Sequence, residues 1–136
     1  MNTKQHDLGL LLLRLGTGGL MLFHGIHKLL HGHGGISATL EKAGLPDWLW
    51  IGVPISEVIA PIFLILGIFG RISALLIAAV MLFSIYLAFG YEGFTLTAHG
   101  GLKSELNLLF MTAGIALFFT GSGKFALYKG NSPWLY

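Results

Sequence analysis

The chain has 136 residues, 54% of them hydrophobic and only 10% charged, with a mean hydropathy of +0.77. Soluble domains carry about 25% charged residues, so lipid rather than water is the expected solvent, with length for four spans of about 20 residues and no separate soluble domain. The formal charge of +2 is scattered among apolar runs, which excludes a nucleic-acid-binding face, and the absence of cysteine excludes thiol–disulfide chemistry, Cys-ligated iron–sulfur clusters and covalent c-type haem.

The opening MNTKQHD is too polar, and the apolar run after it too long, for a cleaved signal peptide, so residues 8–30 read as a retained first span. Along it Arg14, Thr17, Met21, His24, Lys28 and His31 are spaced 3, 4, 3, 4, 3, a single polar face. Gly18, Gly25 and Gly32 form an adjacent strip where a second backbone could approach closely. Arg or Lys at mid-depth costs about 2.5–3.5 kcal/mol on insertion scales, so this face needs protein partners or a wet cavity.

A His- and Gly-rich exit follows, then a short helix capped by Ser37 with Leu40 inward, stopped at Ala43-Gly44. Trp48 and Trp50 stand where an aromatic belt anchors a span. The second span, residues 49–69, contains Glu57 between Pro54 and Pro61. Pro61 removes the hydrogen bond that the Glu57 carbonyl would accept. Gly70-Arg71 reads as a tight turn into an uncharged third span, 72–89, with small residues at Ala74, Ala78 and Ala88. A second long loop carries Glu92 and His99, and the last span covers 105–120. GSGKFALYKGNSPWLY closes the chain as a glycine turn and a basic aromatic tail. Its GSGK lacks the full phosphate-loop spacing and the preceding strand.

The expected fold is all-α, an integral membrane four-helix bundle of up-down topology, a single domain over residues 1–136. Both termini then share one side. Lys4, Arg71, Lys124 and Lys129 fall there, and Lys28, Lys42 and Lys103 on the other, which favours termini in the cytoplasm. The buried charges gather near the opposite face. At about 1.5 Å per residue, Glu57 lies level with His24, while Lys28 and Glu105 lie nearer the surface. The expected polar site is therefore Lys28, Glu57 and Glu105 with His24 alongside. Arg14, at the other end of its helix, either snorkels to phosphate or bonds backbone carbonyls at a helix end. The cluster reads either as an ion-pair network fixing helix register or as a site for a proton or polar head group, such as a quinone, a small anion or a lipid.

His24, His27 and His31 fall within about 60° of one helical face, a geometry that could present imidazoles to Zn or Cu, or serve only as interfacial polarity. No Ser/His/Asp constellation is legible: Asp occurs only at Asp7 and Asp47, outside the spans.

Arg14, His24-Gly25 with Lys28, Glu57, Leu66-Gly67 with Arg71, Glu105 and Gly121-Ser122-Gly123-Lys124 occur in an order that resembles the DoxX family of small bacterial membrane proteins. The family's Ser-Leu-Asp after the glycine turn is replaced by Phe125-Ala126-Leu127-Tyr128. The resemblance implies a four-helix protein of the bacterial cytoplasmic membrane. Some relatives are associated with oxidoreductases, including thiosulfate:quinone oxidoreductase subunits, and with a membrane complex for oxidant defence. The function it implies is an accessory or quinone-associated component of such a system, with a membrane or periplasmic redox partner protein and room for homo-oligomers. The rival readings are a subunit of a quinone-linked oxidoreductase, a partner-binding membrane subunit without a cofactor, and a small-molecule carrier. No catalytic residue is assigned.

Overall fold

A computed structural model describes residues 3–128. Helix α1, Thr3–His31, carries the first apolar run, and Gly32 (φ +83°) ends it. A short α2, Gly34–Lys42, follows, then α3, Asp47–Leu66, α4, Gly70–Phe94, and α5, Glu105–Thr120. Outside the helices, one isolated antiparallel bridge joins Leu96 to Leu102 among the described residues. The fold is all-α. Three helices, α1, α3 and α4, are long and apolar enough to cross a membrane. The shorter α5 is 16 residues of apolar helix, about 24 Å.

Contacts at one end of the bundle establish the up-down order. Arg14 of α1 reaches the carbonyls of Leu64 and Ile65 at the end of α3 and of Ser122 beyond α5. Arg71 at the start of α4 donates to the Phe118 carbonyl, 2.7 Å away, at the end of α5. The opposite end carries α2 and the long loop before α5. Between them lies a core of Leu10, Met21, Leu64, Ile77, Phe110 and Leu117. Gly114 sits so close to α4 that a Cβ would come 2.7 Å from the Ala74 carbonyl oxygen. Large side chains such as Leu12, Phe23, Leu75, Leu109 and Phe119 face outward. In water this would be an extended apolar patch, whereas hydrocarbon matches it.

Two local expectations are corrected. The α3–α4 turn lies at residues 67–69, not at Gly70-Arg71, because Gly67 (φ +72°) and Phe69 (φ +49°) take the left-handed turn and Gly70 already opens α4. Ser37 does not cap α2. His33 holds that position, and Ser37 lies one turn inside with its N–H on the His33 carbonyl. Leu40 is buried and Gly44 (φ +69°) follows the helix end, as the sequence predicts. The end of the basic aromatic tail lies outside the described residues. Residues 121–128 form no helix and fold back beneath α1 and α3.

Candidate functional site: an ion pair lining an apolar cavity

The site begins with a distortion of α3. Residues Ile55–Ile59 form a π-turn, closed by the Ala60 N–H on the Ile55 carbonyl, and Pro61 follows with no N–H to give. Against the carbonyl so exposed lies Gly25 of α1, where a Cβ would come 2.2 Å from the Glu57 oxygen. Gly18 makes the equivalent approach one heptad earlier, 3.0 Å from the Pro61 oxygen, whereas Gly32 meets nothing within 4 Å and serves only to end the helix.

One turn beyond Gly25, Lys28 donates to Glu57 Oε1 at 2.6 Å. The pair is unequal. The Lys28 side chain is 40% exposed, that of Glu57 only 1%. Glu57 Oε2 is buried and accepts no hydrogen bond. Both residues line a half-open cavity of about 480 Å³ between α1, α2, α3 and α4. Its walls are mainly apolar, from Leu40, Leu49, Val53, Val80, Phe83 and Leu87, with Thr39, Ser56 and Ser84 as the other polar side chains. A second π-turn, Ile85–Phe89, shapes the α4 wall. Phe83 is 56% exposed on the outer apolar surface, so the cavity wall reaches the side of the bundle.

The other expected members stand apart. Glu105 is exposed at the first residue of α5, its carboxylate folded back over Gly101 in the preceding loop. It therefore does not join Lys28 and Glu57. His24 is exposed and sets its ring edge-on to Phe110, with centroids 6.1 Å apart. Arg14 is buried at the far end: Nε donates to Leu64 O at 3.0 Å, Nη2 to Ile65 O at 2.9 Å, and Nη1 to Ser122 O. Of the two roles expected for it, the helix-end one is realised.

The three histidines are not drawn together. His27 and His31 stack with centroids 4.0 Å apart, and His31 Nδ1 lies 2.9 Å from the His27 carbonyl, while His24 points to Phe110. Among the described residues no group of three or more His, Cys, Asp or Glu side chains could hold a metal ion. The sequence reading allowed a cavity beside the polar face of α1 but missed its apolar walls, and it missed the stack of His33 on Trp50, centroids 4.1 Å apart, at the entry to α3. Pro54 and Pro61 around a buried acid were the signal available for the first.

Fold and site together define a helical membrane protein with a charged pair set beside an apolar cavity. The DoxX family model matches residues 9–90, from the first turns of α1 through both walls that hold the pair. The chain belongs to the DoxX family. No curated protein and no solved structure is matched by it.

Proposed function

We propose that the chain is a quinone-associated component of a redox or oxidant-defence system in the bacterial cytoplasmic membrane, with both termini in the cytoplasm and the cavity beside Glu57 as the quinone site. The observation that carries this reading is the buried Glu57 Oε2 without a partner, in a residue lining an apolar cavity at the side of the bundle. Buried polar atoms are nearly always satisfied, so a carboxylate oxygen left without a partner beside a cavity points to a donor that occupies it. A quinone ring with an apolar tail fits such walls, with Lys28 and Glu57 as the groups that would hold its oxygens. When bound it would supply two-electron, two-proton redox chemistry. The chain's own share is to orient the head, exclude water through α2, and keep a charged pair beside it. A membrane or periplasmic partner protein would exchange the electrons.

The carrier reading has less support, because Arg14 lies at the far end from Lys28 and Glu57 and is bonded there to three backbone carbonyls. The proposal is tested by extracting purified protein in native lipid and measuring quinone per chain. Enrichment over protein-free membrane is expected, and its loss in Val80→Trp, which fills the cavity. Quinone at the same level as bulk lipid overturns the reading.

A further inference from the structure

We infer that the cavity selects its ligand through a hydroxyl donor: it takes hydroxyl-headed amphipaths, and of a quinone couple the hydroquinone, with Glu57 Oε2 as the acceptor. The inference rests on the cavity reading above and sharpens it. An ionised carboxylate only accepts hydrogen bonds. Lys28 Nζ satisfies Oε1 at 2.6 Å, whereas Oε2 has no partner and almost no exposed surface, so a hydroxyl in the cavity meets it as the Glu57 side chain turns. A ketone or ether oxygen brought to Oε2 opposes acceptor to acceptor. A hydroxyl brings the missing donor, and a hydrogen bond to an ionised group is among the stronger kinds. Lys28 also lines the cavity and could serve a carbonyl, but a carbonyl head would still leave Oε2 unmet. Sites built around a hydrogen bond reject the analogue that lacks it, because the buried group is then left bare. Thr39 does not relieve Oε2, since its hydroxyl is spent on the Gly35 carbonyl at 2.8 Å. The apolar walls from Leu40, Val53, Val80 and Phe83 accept an alkyl or isoprenoid tail without further selection.

A redox-silent series isolates the donor. Binding of 4-decylphenol, 4-decylanisole and decylbenzene is measured by calorimetry on protein in lipid nanodiscs, with partition into empty nanodiscs subtracted. The phenol is expected to bind about 10- to 100-fold more tightly than the anisole, which keeps the oxygen and loses the proton. In Glu57→Gln the amide is expected to keep its carbonyl on Lys28 and to put its NH2 in the place of Oε2, so the ratio should fall to about one. Equal binding of phenol and anisole to the unsubstituted protein overturns the inference, and does so even where Glu57→Gln fails to fold. A ratio unchanged in folded Glu57→Gln overturns Glu57 as the acceptor. A last arm compares decyl hydroquinone with decyl benzoquinone under anaerobic reducing and oxidising conditions. Phenol selectivity without hydroquinone binding supports the donor rule and sinks the quinone reading. Quinone and hydroquinone binding equally does the reverse.

Discussion

Lys28 and Glu57 share one ion pair but not one environment, and their substitutions should differ accordingly. Glu57 has nowhere to go: its side chain is 1% exposed, and Gly25 presses on its backbone. Lys28 is 40% exposed on a long stem near the bundle end, so it can turn outward when its partner is lost. Lys28→Met strands a carboxylate in an apolar interior and should cost about 3–5 kcal/mol, the range for breaking a buried pair from one side. Glu57→Gln leaves a cation that reaches water, and should cost less, on the order of 1–2 kcal/mol. Adding Glu57→Gln to Lys28→Met should recover part of the larger loss. Unfolding of the four proteins in one detergent measures this, and additive effects would show that the two residues are not partners. The residues of this site were only half legible in sequence. Lys28 and Glu57 were found because a deep acid needs a cation at its level. Glu105 has the right depth as well, but depth along a helix carries no azimuth, and its carboxylate turns to Gly101. His24 fails for a related reason. A straight helix drifts about 20° per heptad against a seven-residue stripe, and the buried face moves from Arg14 and Thr17 to Gly18, Met21 and Gly25.

Helix α3 is distorted at its middle and closed completely at its end. Its last carbonyls form a full account. Phe63 accepts from Ile68 N and Leu64 from Gly67 N, the Schellman pattern, while Ile65 accepts from Arg14 and Leu66 from Leu127 N at 3.0 Å. A helix end within the hydrocarbon must be answered in this way, since hydrocarbon offers no donors. Arg14 is thus a cation at a helix C-terminus, where the macrodipole favours it. The sequence showed a charge with no acid at its level, and a carbonyl set was one of its two readings. The middle of α3 yields a sharper prediction. At Gly25 a Cβ meets the Glu57 carbonyl at 2.2 Å, and backbone cannot yield as a side chain can. Gly25→Ala should destabilise by about 1–3 kcal/mol and weaken the Lys28–Glu57 contact. Gly19→Ala, six residues away with nothing within 4 Å, should be neutral or stabilise by about 0.5–1 kcal/mol. Thermal unfolding of both variants decides, and equal effects would contradict the close approach. The close approach was legible from Gly18 and Gly25. The shape and apolar walls of the cavity were not, because they form only where α2 and two π-turns meet, and short-range periodicity says nothing of how three helices diverge.

For the molecule as a whole, the two ends are chemically different, and this sets a testable topology. One end is closed by arginines on carbonyls and by the returning chain: Lys124 N donates to Asp7 Oδ1 at 3.2 Å, and Ser122 packs on Gly70, where a Cβ would meet its hydroxyl at 1.9 Å. The other end holds α2, the long loop with its Leu96–Leu102 bridge, and the ion pair. Counted along the sequence, the terminal side has Lys4, Arg71, Lys124 and Lys129 in its segments against Lys28, Lys42 and Lys103 for the other, and basic residues favour the cytoplasm. The margin is small, and Arg71 spends a donor on Phe118 O, but the surplus lies in short segments, where the rule applies best. Because the chain has no cysteine, each introduced thiol is the sole target for a membrane-impermeant maleimide. Gly34→Cys and His99→Cys should both react in intact cells whose outer membrane has been opened, and Lys124→Cys only after the cytoplasmic membrane is permeabilised. Gly34 and His99 are exposed, as is Lys124, so slow reaction cannot be blamed on burial. Labelling of Gly34→Cys and His99→Cys from opposite sides would break the up-down order of α3 and α4. Labelling of both only after permeabilisation would keep the bundle and reverse it, placing the ion pair and its cavity towards the cytoplasm and moving the redox partner to that side.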